Sequence, residues 1–332
     1  MSLRLKTSYQ SSINPRMVLV SGASGFLGRA LVNRGASGGL RLRAAARRLE
    51  KWPSGVESVR IGDFAAEGDW RTALDGVDAI VNCIARVHVI RETSADPLAE
   101  FRRVNVAGAL NLARQAAGAG VRRFIHISSI GVNGAETFDK PFTSEDRPAP
   151  HSPYAVSKYE AELGLGQIAR ETGLEVVIIR PPLVFGPGAR GNFNRLLLTV
   201  YRGIPLPLGS IHNQRSLVAL DNLVDLILTC VHHPAAAGQT FLVSDGEDLS
   251  TSELLRRTAA ALGKPARLIS VPPLMLRTVA RLVGKADFAQ QLCGSLQVDI
   301  SKTRDLLGWA PHVSVNDALE QTARHFLANQ AS

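Results

Sequence analysis

Tyr154 and Lys158 lie four residues apart in the segment YAVSK, and this spacing places both side chains on one face of a helix. A lysine ammonium beside a phenol favours the phenolate, so the pair predicts a tyrosine with a lowered pKa that transfers protons. Ser129 lies upstream, at the end of the apolar run RRFIHISS. Its hydroxyl could bond a substrate oxygen and hold it near Tyr154. The three residues predict proton transfer at a hydroxyl or carbonyl group.

A glycine-rich segment, GASGFLG, follows the apolar run MVLVS. Gly22 permits a tight turn, Gly25 lets the backbone approach a pyrophosphate, and Gly28 allows a helix to pack closely on a strand. The N–H groups of the helix that follows would face the phosphates. The spacing is GxxGxxG rather than GxGxxG, and its place between the first strand and the first helix indicates a dinucleotide site.

The residue that ends the second strand bears on which dinucleotide binds. NAD sites place Asp or Glu there to bond the ribose, whereas this chain has AAARR and no acid before Glu50. Arg47 and Arg48 would meet a 2′-phosphate through charge-assisted hydrogen bonds, which favours NADP over NAD. The alternative is that both arginines face solvent and either cofactor binds. At the end of the third strand, Asp63, followed by Phe64, is a candidate acceptor for the adenine amino group.

Short apolar runs alternate with helical patterns through the first half of the chain. Apolar strands separated by helices indicate a parallel sheet covered on both faces, which is the doubly wound α/β class, or Rossmann fold. After residue 180 segments rich in Gly and Pro interrupt the alternation of strands and helices. Strands are predicted at 17–21, 40–46, 56–63, 79–83, 122–129, 174–180 and 239–245, a strand followed by a helix at 216–228, and helices at 26–34, 101–116, from Pro153, and at 250–262.

The length of 332 residues exceeds a typical single core, so we expect two lobes. We predict a cofactor domain formed by 17–180 plus 215–245. A smaller substrate lobe would comprise 181–214 plus 246–330. Residues 1–16 carry no apolar h-region, and we expect them to form a disordered arm outside the fold.

Composition narrows the function classes. Hydrophobic residues make up 45% and charged residues 20%, as in ordinary globular proteins. The net charge of +9 favours anionic partners, but the basic residues are scattered without interleaved aromatics, so we expect no nucleic acid partner. No apolar run is long enough to span a bilayer, so we expect no membrane insertion. Three widely spaced cysteines without a CxxC pattern predict no metal site and a reducing, cytoplasmic location.

From residue 17 to about residue 325 the chain resembles the extended short-chain dehydrogenases/reductases of the NAD-dependent epimerase/dehydratase type. GASGFLG, FIHISSIGVNG, SPYAVSK, IIRPPLVFGPG and DISKTRDLLGW fall in the family's order and intervals. Within the family, the chain is most similar to UDP-glucose 4-epimerase-like proteins and to UDP-4-keto-6-deoxy-GlcNAc 4-reductases of O-antigen biosynthesis.

The resemblance implies roles for individual residues. Catalysis would rest on Ser129, Tyr154 and Lys158. The substrate would contact Ser129, Asn192, Phe193 and Arg215. Arg215 would bind the UDP diphosphate. The cofactor would meet Gly22, Ser24, Gly25, Phe26, Leu27, Gly28, Cys83, Ile84, Ala85, Asn105, Ser128, Tyr154, Lys158, Pro181 and Leu183.

We expect NADPH- or NADH-dependent reduction of a UDP-4-keto-6-deoxy-hexosamine in surface polysaccharide biosynthesis. Tyr154 would protonate the carbonyl oxygen, Lys158 would tune Tyr154 and hold the nicotinamide ribose, and Ser129 would orient the carbonyl. The first alternative is a UDP-sugar 4-epimerase, and the second is a catalytically idle NAD(P)-binding sensor or scaffold.

Three departures from many epimerases favour the reductase. Asn133 and Leu183 stand where those enzymes have Tyr and Asn, and Gln290 and Gln291 occupy the region of a second diphosphate arginine. Many relatives dimerise through helices that include the one carrying the catalytic tyrosine, so the resemblance also implies a homodimer.

Overall fold

The computed structural model describes residues 17–64, 68–87, 96–189, 191–284 and 286–330. The predicted N-terminal arm lies outside the described residues. The strands are β1 Val18–Ser21, β2 Leu42–Ala46, β3 Val56–Arg60, β4 Ala79–Asn82, β5 Arg123–Ile127, β6 Glu175–Arg180, β7 Leu183–Phe185, β8 Arg215–Ala219, β9 Thr240–Leu242 and β10 Asp248–Leu249. The α-helices are α1 Phe26–Ser37, α2 Arg71–Leu74, α3 Pro97–Phe101, α4 Ala109–Gly118, α5 Pro153–Thr172, α6 Asn192–Tyr201, α7 Leu220–His232, α8 Thr251–Ala261, α9 Pro273–Leu282, α10 Ala286–Cys293, α11 Ser301–Leu307 and α12 Val315–Gln330.

The main sheet has seven parallel strands in the order β3-β2-β1-β4-β5-β6-β9. All four residues of β1 are buried, as expected for a strand covered by helices on both faces. The chain reverses its direction of winding between β1 and β4, and parallel strands present their carboxyl ends at one edge. The predicted doubly wound α/β fold is confirmed, and ligands of such sheets bind at that edge.

The segment 216–228 differs from the prediction that the chain re-enters the main sheet there. β8 instead lies in a small sheet of order β10-β8-β7, and only β9 rejoins the main sheet beside β6. Val218 faces the apolar core of the main sheet, while Leu217 and Ala219 face a second apolar cluster. Because β8 is apolar on both faces, its sequence does not reveal which sheet it joins.

The second apolar cluster lies outside the main sheet. It is built from side chains of β7, α6, α8 and α12, including Phe193, Leu254, Leu319 and Phe326. Ser250 caps α8 as the sequence indicates, since its hydroxyl accepts a hydrogen bond from the Glu253 N–H at 3.0 Å. The cluster occupies the predicted substrate lobe, and the boundaries of that lobe stay a prediction.

The helix predicted at 101–116 is not a single α-helix. α3 and α4 flank a π-helical segment, Arg102–Gly108. At its end, a Cβ on Gly108 would lie 2.7 Å from the Phe64 ring, so the helix approaches the end of β3 very closely. None of the helices in the described part of the chain combines the length and hydropathy needed to span a bilayer.

Replacing Gly28 by alanine is expected to destabilise the protein by about 1–3 kcal/mol. The added Cβ would lie 2.3 Å from the carbonyl oxygen of Gly22 and 2.9 Å from the Cα of Ala23, so α1 would have to move away from the loop. Urea unfolding of variant and wild type measures the difference.

Gly118→Ala in α4 is the matched control. A Cβ there meets nothing within 4 Å, and alanine favours a helix, so stability should be unchanged or rise by up to about 1 kcal/mol. Equal stability of Gly28→Ala and wild type would show that the contact between α1 and the loop is not tight.

Candidate active site

The glycine loop joins β1 to α1. Gly22 has a φ of 73°, which favours glycine, and its carbonyl accepts a hydrogen bond from the Gly25 N–H at 2.9 Å. Gly25 is the N-cap of α1, and the first turn of the helix carries no acidic residue. Ser24, Phe26 and Leu27 are partly buried around the turn. An open helix N-terminus with no Cβ in the way fits a pyrophosphate.

The residues that follow β4 lie beside this loop. Cys83, Ile84 and Ala85 are all partly exposed, and the Ile84 side chain comes within 3.0 Å of the Cβ position at Gly22. Burial raises the pKa of the Cys83 thiol to about 12, so the thiol stays protonated at neutral pH. The sequence-predicted positions after β1 and β4 therefore meet at the carboxyl edge of the sheet.

Asn105 ties the backbone after β4 to α5. Its Oδ1 accepts from the Arg86 N–H at 2.8 Å, and its Nδ2 donates to the Arg86 carbonyl at 3.0 Å and to Ser157 Oγ at 2.9 Å. Asn105 is buried within the π-helical segment. An irregular helix turn at such a position is common at functional sites, and here it turns the amide toward the active-site backbone.

Ser129 ends the fifth strand region and starts a short 3₁₀ turn, where its Oγ accepts from the Gly131 N–H at 3.1 Å. A Cβ at Gly131 would lie 3.4 Å from Ser129 Oγ and 3.3 Å from the Ala155 Cβ. Ser152 caps α5, and Pro153 fills its first turn. The structure thus brings Ser129 against the first turn of α5, the turn that carries Tyr154.

Tyr154 differs from the sequence expectation in its protonation. Its ring packs edge-on against Phe101, with centroids 6.0 Å apart, and burial raises the pKa of the phenol to about 12. The prediction of a lowered pKa is therefore wrong. The physical reason is that the removal of water disfavours the charged phenolate.

Lys158 is wholly buried on the same helix. Its Nζ lies 3.2 Å from Nε2 of His126. Burial lowers the pKa of Lys158 from 10.5 to about 8, while the nearby Glu162 carboxylate opposes the shift. The ammonium form still predominates at neutral pH.

A buried polar chain, missed by the sequence reasoning, reaches Lys158 from across the sheet. Ser21 Oγ donates to Asn82 Oδ1 at 2.8 Å, and Asn82 Nδ2 lies 3.4 Å from His126 Nδ1. Burial, together with the charge of Lys158, holds the pKa of His126 well below its usual range, so the ring is neutral. The sequence carries a signal for this chain of contacts, since each of the apolar strands β1, β4 and β5 contains a polar residue, and a buried polar residue requires a hydrogen-bond partner.

Ser128 is not placed to serve as a cofactor ligand. Its hydroxyl donates to Glu162 at 2.5 Å, on the side of the strand away from Ser129, because successive side chains alternate faces. Glu162 forms a buried salt bridge with Arg180, and Arg180 also donates to Asn133 Oδ1 at 3.0 Å. Asn133 therefore supports a buried ion pair, which gives this departure from many epimerases a structural role.

The residues predicted to meet the adenosine half lie around the ends of β2 and β3. Arg47 and Arg48 are exposed after β2. The Asp63 carboxylate is 2.8 Å from an Arg103 nitrogen. Phe64 is buried edge-on against Trp70, so its side chain belongs to the core and is not open to a cofactor.

Leu183, Asn192, Phe193 and Arg215 line one apolar cavity of about 700 Å³ between the small sheet and α6, α8, α9 and α10. The structure thus brings three of the four predicted substrate residues together, without Ser129. Leu183, predicted as a cofactor residue, lines the same cavity, whereas Pro181 does not. Pro181 is buried at the end of β6, where its carbonyl accepts from the Ile130 N–H at 3.0 Å. The three catalytic residues do not line this cavity, which lies beyond the carboxyl edge that holds them.

Two guanidinium groups border the cavity. Arg215 donates to the Gly294 carbonyl at 3.0 Å, and burial lowers its pKa. Arg195, on α6, also lines the cavity and was not singled out from the sequence. Its position could have been inferred from the sequence, because residues three apart on a helix share a face and Asn192 was already a predicted substrate residue. Together the two cations could bind a diphosphate.

Lys158→Met is expected to stabilise the cofactor-free protein at pH 7, by up to about 3 kcal/mol, because it removes a buried charge. Below pH 8 both folded and unfolded chains bind the lysine proton, and the cost of burial is fully present. Between about 8 and 10.5 the unfolded chain binds more protons, so wild-type stability gains on the variant as pH rises.

Urea unfolding from pH 7 to pH 10 measures this difference. Lys140→Met, at a lysine whose side chain is 77% exposed, is the control and should change stability little at any pH. A Lys158→Met protein less stable than wild type at pH 7 would contradict the cost assigned to the buried ammonium.

The comparison with protein families identifies residues 18–244 as matching the NAD dependent epimerase/dehydratase family. Among curated proteins, the chain is 45% identical to a UDP-glucose 4-epimerase of Vibrio cholerae over 316 residues, which are 94% of this chain and 96% of that protein. It is 27% identical to an N-acetyl-alpha-D-glucosaminyl-diphospho-ditrans,octacis-undecaprenol 4-epimerase of Escherichia coli O157:H7, over 93% of this chain and 94% of that protein.

Among solved structures, MoeE5 in complex with UDP-glucuronic acid and NAD is similar, with a TM-score of 0.77 and 23% identity. The match covers 94% of this chain and 99% of that one, and at this identity it shows the shared fold. The family match spans more than half of the chain and the Vibrio relative covers nearly all of it. The chain therefore belongs to the NAD dependent epimerase/dehydratase family of enzymes, as its motifs predicted.

Proposed function

We propose that this protein is a UDP-sugar 4-epimerase that uses NAD. The observation that carries the proposal is the 45% identity to the Vibrio UDP-glucose 4-epimerase over almost the full length of both chains. The serine, tyrosine and lysine that proton transfer requires are present at the carboxyl edge of the sheet. The reductase that the sequence alone favoured becomes the second candidate.

The glycine loop fits the pyrophosphate of a dinucleotide, because α1 begins there with free N–H groups and no obstructing Cβ. A bound nicotinamide would supply hydride transfer at C4 of the sugar. Tyr154 would take the proton of the 4-hydroxyl as the carbonyl forms and return it when the hydroxyl is restored. Ser129 Oγ would donate a hydrogen bond to the same oxygen, and the Lys158 ammonium would stabilise the tyrosinate.

Arg195 and Arg215 would bind the diphosphate of the nucleotide sugar at the border of the apolar cavity. Arg195 would supply a second diphosphate cation in place of the arginine that the sequence lacks around Gln290 and Gln291. The departures at Asn133 and at Gln290 and Gln291 therefore count less against an epimerase. Asn133 has a structural role, since it accepts a hydrogen bond from Arg180.

Besides the sequence departure at Leu183, the pair of exposed arginines after β2 favours the reductase. Arg47 and Arg48 would hold a 2′-phosphate, and a reductase that consumes NADPH must exchange its cofactor at each turnover. The catalytically idle NAD(P)-binding protein is disfavoured because binding alone does not require Ser129 and Tyr154 together with Lys158.

Tyr154→Phe is expected to lower the turnover of UDP-glucose and UDP-galactose interconversion by about 100-fold or more, because the proton carrier is lost. The assay contains purified protein and no added cofactor, and chromatography separates the two sugars. Tyr159→Phe, five positions along the same helix, is the matched control and should keep wild-type turnover.

Wild-type enzyme that interconverts no UDP-sugar but oxidises NADPH or NADH in the presence of a UDP-4-keto-6-deoxy-hexosamine would overturn the epimerase and establish the reductase. Full activity of Tyr154→Phe in either reaction would contradict the assignment of Tyr154.

The double substitution Arg47→Ala with Arg48→Ala is expected to weaken NADP binding by about tenfold or more and to leave NAD binding nearly unchanged. The reason is that only NADP carries the 2′-phosphate that these side chains would meet. Titration calorimetry on protein freed of nucleotide measures both affinities. Equal effects on the two cofactors would show that the arginines do not face the 2′-position.

A further inference from the structure

Helix α9 separates the apolar cavity from solvent, and none of its residues is buried. Leu276, Val279, Ala280 and Val283, on or just after the helix, line the cavity. Their spacing of three and four residues places them on one side. The cavity therefore accounts for the apolar residues on one side of α9, but not for those on its opposite side.

The outward side of α9 is also apolar. Leu274 is 76% exposed, Met275 57% and Leu282 82%, and none of the three lines the cavity. Leu274 and Leu282 are eight residues apart, which is a little over two turns, so they project on the same side. Ile269 before the helix and Phe288 on α10 are also exposed. Large apolar side chains grouped in this way mark an interaction surface.

The charge of the same segment indicates what covers this surface. From residue 264 to residue 285 the chain contains Lys264, Arg267, Arg277, Arg281 and Lys285 and no acidic residue. Arg281 is exposed and follows Leu274 by seven positions, so it lies beside Leu274 on the outward side, whereas the Arg277 guanidinium donates to the Cys293 carbonyl at 3.4 Å. Apolar side chains bordered by cations are the pattern of a helix that lies in the interface of an anionic bilayer.

We propose that the outward side of α9, defined by Leu274, Met275 and Leu282, docks on an anionic membrane surface. The apolar side chains would enter the boundary between headgroups and acyl chains, and the exposed Arg281 would meet a lipid phosphate. Docking in this orientation brings the wall of the substrate cavity to the membrane surface. The proposal does not depend on the epimerase activity, since it uses residues outside the catalytic site.

Flotation of the full-length protein with vesicles tests the proposal. Vesicles of phosphatidylcholine with phosphatidylglycerol should bind the protein, and vesicles of phosphatidylcholine alone should bind it much less. Binding to the anionic vesicles should weaken as salt is added, because ions screen the attraction. Arg281→Gln should reduce anionic binding by about fivefold, the value of one basic residue near a charged surface.

The double substitution Leu274→Asp with Leu282→Asp should reduce vesicle binding by about tenfold or more, because two apolar contacts are lost and two repelled charges are added. Phe138→Asp is the matched control, since Phe138 is 79% exposed outside this segment and should have no effect. Turnover of a soluble UDP-sugar should stay at the wild-type level in all of these variants, which shows that they fold.

Two results would overturn the proposal. One is equal recovery of wild type and the Leu274→Asp, Leu282→Asp variant with anionic vesicles. The other is a concentration-dependent dimer in light scattering that this variant dissociates without any vesicle binding by wild type, which would show that a second copy covers the surface. Because vesicle binding is measured without substrate, loss of the epimerase proposal would not change either outcome.

Discussion

The ammonium group of Lys158, buried between α5 and the strands β4 and β5, is the constraint on which the arrangement of the site depends. A buried charge is tolerated only where polar groups surround it. His126 on β5 provides one such group, and Asn82 and Ser21 continue the polar contacts to β4 and β1. These contacts fix the position of α5 on the sheet, and with it the first turn of the helix that carries Tyr154.

A second buried polar group holds the other side of α5. Glu162 lies one turn after Lys158 and pairs with Arg180 at the end of β6, while Ser128 donates to the same carboxylate. The helix is therefore attached to the sheet by two polar contacts of opposite charge. Since buried ion pairs contribute little net stability when compared with apolar packing, their value here is in setting the register of the helix against the strands.

Two regions of different chemistry meet in this protein. The carboxyl edge of the main sheet holds the glycine loop and the residues proposed to transfer protons. The cavity beyond β7 is apolar, with Arg195 and Arg215 at its border. The nucleotide sugar proposed as substrate has a matching division, because its sugar would react while its diphosphate requires cations. The small sheet positions the second region, since β7 continues directly from β6 and pairs with β8, which begins at Arg215.

The sequence by itself determined the fold class, the dinucleotide loop and the order of Ser129, Tyr154 and Lys158. Apolar periodicity and glycine spacing are local properties, and they are readable before the chain folds. The roles of the residues after β4 came from the family resemblance, and their meeting with the residues after β1 follows from the parallel sheet, because parallel strands end at a common edge.

Only the tertiary structure decided the rest. β8 is apolar on both faces and its partner strands are distant in sequence, so its place in the small sheet depends on packing between two cores. Burial decided the protonation of Tyr154, because desolvation disfavours the charged phenolate. The roles of Ser128, Phe64 and His126 were likewise set by contacts across the sheet, which the spacing of residues along the chain does not encode.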